Sequence, residues 1–167
     1  GVSGGGIVRP LTLDDAAALA RLLSAGRGPD APFVPLRDDA FFTVDGQRAR
    51  IEAAEHLYGV VDRGSLAGTL SFSNVAPMPF ASATLGYWIA AEHRGHGLAT
   101  HAVAAAADLA FGELGLHRLE AATLVDNVAS RRVLEKNGFT GIGLAPRYLH
   151  IAGAWRDHLL FQRTVED

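Results

Sequence analysis

A chain of 167 residues with 49% apolar and 20% charged side chains has the length of one compact unit and too much core material for intrinsic disorder. Its net charge of −3 supplies no broad positive field for a phosphate backbone, so nucleic acid is not an expected partner. Cysteine is absent, which removes disulfides, thiolate metal sites and a cysteine acyl-enzyme and points to a cytoplasmic compartment.

Residues 1–6, Gly-Val-Ser-Gly-Gly-Gly, lack both a charged and an apolar leader segment and are expected to be a cloning remnant ahead of a single domain over 7–167. Residues 7–11 read as a short strand. Thr12 with Asp15 forms a capping signature for a helix through about Leu23, stopped at Gly26. Pro29, Pro32 and Pro35 make 27–44 a long irregular connection, and helix resumes over 45–55. Residues 57–62, a turn at Arg63-Gly64 and 65–72 form a hairpin. Residues 83–89 alternate, with Leu85, Tyr87 and Ile89 on one face and Thr84, Gly86 and Trp88 on the other, which is a strand.

From Leu98, the set Leu98, Ala102, Ala105 and Leu109 has helical spacing, with Gly115 as the expected C-cap; its alanines imply close packing on a sheet. The longest mostly apolar stretch, 102–111, is interrupted by Asp108 and has about half the length of a membrane span, so no membrane partner is expected. Residues 118–124 form a strand. Asn127 caps a helix whose Val133 and Leu134 point inward and which closes at Asn137-Gly138. The single lysine, Lys136, lies in that closing turn, which suits a solvated dipole partner and not a P-loop or Schiff-base lysine. Strands over 140–151 and 154–163 end the chain. The order predicts an α+β, mixed α/β fold with a mostly antiparallel sheet.

The segment that carries chemistry is Glu92-His93-Arg94-Gly95-His96-Gly97-Leu98-Ala99-Thr100, a glycine-bearing turn between a strand and an alanine-rich helix. Free N–H groups and the dipole at a helix start hold anions, glycines permit close approach, and Arg94 can add a charge-assisted bond to a phosphate oxygen. Glycines at such turns also serve backbone geometry with no ligand, so the spacing alone leaves both readings open. A dinucleotide fingerprint needs a glycine where Thr100 stands. His93 and His96, with His101 nearby, have no further ligand at metal spacing, and no metal is expected.

Arg94-x-x-Gly97-x-Ala99 resembles the acetyl-CoA pyrophosphate loop of the GNAT N-acetyltransferase superfamily. Gly86-Tyr87-Trp88-Ile89, His117-Arg118-Leu119-Glu120, Asn127-x-x-Ser130 and the run from Val133 to Phe139 extend the likeness toward its RimJ/RimL-like branch. The resemblance covers 83–163, with 8–23 similar to the family's opening strand and helix. It implies the GNAT fold, a mixed sheet of about seven strands flanked by helices, with acetyl-CoA as co-substrate. It implies that the backbone at Trp88 and Ile89 pairs with the pantetheine arm, that Arg94, Gly95, His96, Gly97, Leu98, Ala99 and Thr100 take the pyrophosphate, and that Asn127 bonds the pantetheine. Helix capping is the other use of Asn127.

Many members of the family place a tyrosine acid seven residues after that asparagine, where this chain has Leu134. The branch offers Ser130 to bond the departing sulfur, its alternative being a local bond at the helix start. Glu120 is the candidate base, or else the ion-pair partner of Arg118. Tyr148, His150 and Asp157 rank below it, while Tyr87 and Trp88 read as core and cofactor wall. The expected function is acetyl transfer from acetyl-CoA to a primary amine, at a peptide N-terminus or on a small molecule; a non-catalytic CoA-binding module and a nucleotide-phosphate binder are the rival classes. The expected partners are acetyl-CoA, the amine and a second copy of the chain.

Overall fold

The computed structural model describes residues 7–27 and 37–167. The remnant expected at 1–6 and the proline-bearing part of the connection, 28–36, lie outside the described residues. Seven strands form one sheet: β1 Val8–Pro10, β2 Leu57–Asp62, β3 Ser65–Ala76, β4 Ser82–Ile89, β5 Arg118–Leu124, β6 Thr140–Ile151 and β7 Ala154–Thr164, in the order β1-β2-β3-β4-β5-β7-β6. Every neighbouring pair is antiparallel except β4 and β5. Among the described residues four α-helices accompany it, α1 Ala16–Ala25, α2 Val44–Ala53, α3 Leu98–Phe111 and α4 Val128–Lys136.

Local chemistry places the helix ends. Asp15 accepts from the Thr12 N–H at 2.8 Å and receives both terminal nitrogens of Arg9 at 2.9 Å, which ties β1 to the start of α1. Thr43 caps α2 by accepting from Gly46 N–H at 3.0 Å. α3 ends earlier than its periodicity predicts: Gly112 caps it, donating to Asp108 O at 2.9 Å, and Gly115 lies in the turn beyond at φ +62°. The turn needs a left-handed residue at 115, and the helix itself has already closed. β3 also runs four residues past the expected Phe72, to Ala76.

The core forms where α3 lies on the sheet. Ala102, Val103, Ala106, Ala107 and Ala110 are 0–1% exposed and meet Leu70, Leu85, Leu119 and Phe161. Small side chains let the helix approach closely, so apolar contact comes from the sheet's larger residues. The sheet face bearing Tyr87 and Ile89 therefore looks toward α3 and α4, while Trp88 turns the other way, toward Gly26 at the end of α1.

The pairing of β4 with β5 covers three residues, Ser82↔Arg118 through Thr84↔Glu120. Residues 85–89 of β4 and 121–124 of β5 are not paired with each other, although β5 keeps its full register with β7 out to Leu124↔His158. The sheet is split between β4 and β5, and the split opens toward the 92–100 segment.

Candidate functional site

Four features surround that opening. The first is the loop. After a 3-10 turn at Ala91–His93 the chain passes through Gly95 at φ +92° and Gly97 at φ +80°, and α3 begins at Leu98. A Cβ built on Gly95 or Gly97 meets nothing within 4 Å, so the backbone at both is open to approach. The first intrahelical bond runs from His101 N–H to Gly97 O, which leaves the N–H groups of Leu98, Ala99 and Thr100 directed outward, with no acidic residue in the first turn. Their partial positive charge suits an anion.

The second feature anchors that loop. Asp62, at the end of β2, accepts with Oδ2 from His93 Nδ1 at 2.8 Å and His96 Nε2 at 3.1 Å, and its side chain is 11% exposed. The hydrogen bond from His93, followed by the other charges nearby, holds the Asp62 carboxyl below the usual carboxylate range. The two imidazoles thus face one carboxylate, and among the described residues no cluster of three or more ligating side chains is arranged to hold a metal ion. Nothing in the local sequence around Asp62 signals this role, because its partners are 31 and 34 residues away.

The third is the unpaired end of β4. A Cβ on Gly68 would sit 2.0 Å from Trp88 O, which places the Trp88 carbonyl against β3. The next carbonyl faces away from β3, as strand alternation requires, and Ile89 O accepts from Arg94 Nε at 2.7 Å. Arg94 therefore braces the strand end with one nitrogen.

The fourth is the start of α4. Asn127 Oδ1 accepts from Ser130 N–H at 3.2 Å, so the capping use of Asn127 is present. The Ser130 hydroxyl makes no local bond to the helix backbone; it pairs with the Tyr87 hydroxyl at 2.7 Å. Burial pushes the Tyr87 phenol above its usual value, with the Ser130 bond opposing that shift. Tyr87 was readable as a packing residue, and it is that too; the available signal was its place on the same face as Leu85 and Ile89, which turns its polar tip toward the helices.

Glu120 is not brought to this cluster. It lies on the other face of β5 from Leu119 and Ala121, and its Oε1 accepts from Arg118 Nε at 2.8 Å, the ion pair named as its alternative. It is also the last β5 residue in register with β4, at the apex of the split. Among the lower-ranked candidates, Asp157 accepts the Arg147 N–H at 2.8 Å, His150 packs on Trp155 and Tyr148 on His158.

The split sheet thus brings together a helix start with outward N–H groups, a strand end whose last carbonyl is held by Arg94, and a paired hydroxyl at a second helix start. Residues 7–140 match the acetyltransferase (GNAT) domain. The chain is 37% identical to the "Probable N-acetyltransferase YjcK" of Bacillus subtilis over 90% of this chain and 89% of that one. It is 31% identical to the "[Ribosomal protein uS5]-alanine N-acetyltransferase" of Escherichia coli, covering 96% and 88% respectively. The solved structure "Mycobacterium smegmatis RimJ in complex with CoA-disulfide" superposes with a TM-score of 0.90 at 34% identity, over 95% of this chain and 81% of that one.

Proposed function

The chain belongs to the GNAT acetyltransferase family, and from that premise we propose that its acceptor is the α-amino group of a peptide or protein N-terminus. It is an acetyl-CoA-dependent N-acetyltransferase that acts on a primary amine. Acetyl-CoA supplies an activated acyl carbon: the C–N bond to the amine forms, the C–S bond breaks and CoA departs as the thiol.

The observation that carries the acceptor reading is the Arg118–Glu120 pair. Glu120 is already engaged by the Arg118 guanidinium and is not free to strip an ammonium before attack, so the amine must arrive largely neutral. At pH 7.5, roughly a third of an α-amine with a pKa near 7.8 is uncharged, against roughly a thousandth of a lysine at about 10.4. An α-amine needs little help from the protein. Relatives named for ribosomal-protein alanine and serine acceptors support this choice and, with it, a cytoplasmic location.

In this reading 7–167 is one domain, and each site residue has a task. Gly95, His96, Gly97, Leu98, Ala99 and Thr100 hold the pyrophosphate through backbone N–H groups, and Arg94 offers its terminal nitrogens to phosphate oxygens. Ile89 presents its backbone to the pantetheine arm, Trp88 flanks it, and Asn127 adds a side-chain contact. Ser130 donates to the departing sulfur, and Glu120 takes the amine's surplus proton through water once the C–N bond has formed. Exposed Leu144 and Trp155, near the β6 edge of the sheet, support a homodimer, which sedimentation would read.

The test is an acceptor panel followed by thiol release: peptides with free N-termini, the same peptides blocked at the N-terminus but carrying lysine, polyamines and aminoglycosides. Only free N-termini are expected to turn over well. Faster turnover of blocked lysine peptides or polycations than of every free N-terminus overturns the acceptor class and leaves the transferase intact. Acetyl-CoA binding with no turnover of any amine would point to a non-catalytic module.

A further inference from the structure

The hydroxyl of a serine in a first helical turn ordinarily satisfies a backbone group close by. At the start of α4 that work is already done by Asn127, whose Oδ1 accepts from Ser130 N–H. The Ser130 Oγ instead meets the Tyr87 hydroxyl, 43 residues away in sequence and on the unpaired end of β4. The bond thus bridges the two sides of the split, one hydroxyl from the strand before the opening and one from the helix after it. Both side chains are half-buried, where a hydrogen bond is stronger than in water.

We propose that Tyr87 is a positioning residue for the leaving group: its phenol donates to Ser130 Oγ and thereby leaves the single Ser130 proton free to point at the CoA sulfur. The inference rests on the Ser130 role given above. Two hydroxyls 2.7 Å apart can be joined in either sense, and acidity decides between them. A phenol is a far stronger acid than an aliphatic hydroxyl and hence the better donor, while the aliphatic oxygen is the better acceptor. Burial raises the phenol further, so Tyr87 keeps its proton throughout the working pH range.

The proton count closes without Tyr87 losing anything. The Tyr87 proton stays in the bond to Ser130 Oγ and is not passed to the thiolate, in keeping with a phenol that burial makes a weaker acid. The electron pair of the broken C–S bond stays on sulfur, steadied by the Ser130 O–H and by the partial positive charge at the start of α4. The thiolate takes its proton from water, and the proton released by the amine goes to Glu120 or water. Tyr87 and Ser130 end as they began.

The experiment reads the bound product and does not depend on turnover alone. CoA is bound to the wild type, Tyr87→Phe, Ser130→Ala and the double variant, and thiolate ultraviolet absorbance is followed against pH as a difference from each protein without CoA. kcat and the acetyl-CoA Kd are measured beside it, with thermal denaturation reporting the fold. In the wild type the bound thiol is expected to titrate about one unit below the free thiol at about 8.5. Tyr87→Phe should remove most of that shift and lower kcat on the order of tenfold, Ser130→Ala should lower kcat on the order of a hundredfold, and neither should alter Kd. Adding Tyr87→Phe to Ser130→Ala should change nothing further, because the phenol acts only through the serine.

If Tyr87→Phe is silent in both readouts, or costs the same with and without Ser130, the inference fails and the Ser130 role stands. If Tyr87→Phe is the more damaging of the two, the hydrogen bond runs in the opposite sense and the inference is likewise wrong. If Ser130→Ala leaves both the thiol titration and kcat unchanged, the Ser130 role fails and takes the inference with it.

Discussion

Gly97→Ala is expected to separate the backbone cost of the loop from its use as an anion cradle. Gly97 sits at φ +80° and a Cβ there meets nothing within 4 Å, so alanine introduces strain without a clash. A left-handed alanine costs about 1–2 kcal/mol, which in a domain of this length lowers Tm by roughly 2–8 °C. Gly115 is the control: it is also left-handed, at φ +62°, also open within 4 Å, and lies past the opposite end of α3. The two variants should therefore lose similar stability without ligand. With acetyl-CoA at 100 times the wild-type Kd, linkage adds about 2.7 kcal/mol to the wild type and to Gly115→Ala. A tenfold loss of affinity in Gly97→Ala leaves about 1.4 kcal/mol of that gain, and a hundredfold loss about 0.4 kcal/mol. Thermal shift with and without acetyl-CoA, with Kd from calorimetry, reads the difference. A Gly97→Ala protein that is folded and gains as much as Gly115→Ala would refute placement of the pyrophosphate at this turn.

Two further predictions concern the carboxylates that hold β2 and β1 in place. Asp62→Asn removes the charge facing His93 and His96 and should weaken acetyl-CoA binding about three- to tenfold by loosening the loop; an unchanged Kd would mean that the loop keeps its shape unaided. Because the folded carboxyl lies below its unfolded value, the Asp62 contribution is complete above about pH 4 and is lost as pH falls through the depressed pKa, so the variant should show a shallower loss of Tm between about pH 5 and pH 3 than the wild type. Asp15→Ala deletes the acceptor for Arg9 and for the Thr12 N–H and should cost about 1–2 kcal/mol at neutral pH. The Arg9 hydrogen bond depresses the Asp15 pKa in the folded protein, so that difference should also fade below about pH 4, and an identical acid profile in Asp15→Ala would count against the pair.

The sequence by itself determined what depends on neighbours along the chain. Alternation over 83–89, the Asn127 cap and Asn137-Gly138 stop of α4, and a glycine-bearing turn before an alanine-rich helix all reappear as β4, α4 and the start of α3. These signals are local: a strand exposes alternate faces, a cap reaches three residues ahead, and a left-handed position calls for glycine. The tertiary structure decided which side chains meet. The early end of the β4–β5 register opens the cleft, and no single strand encodes where its partner stops pairing. Folding β4 against α4 converts Tyr87 from a packing residue into the partner of Ser130, and the β2–β3 turn brings Asp62 under His93 and His96. Sheet register also set Glu120 beside Arg118, on the face of β5 away from Leu119 and Ala121. A hydrogen bond is made within about 3 Å, whereas residue types and spacing specify the backbone's course and leave partners tens of residues apart to be set by strand order and register.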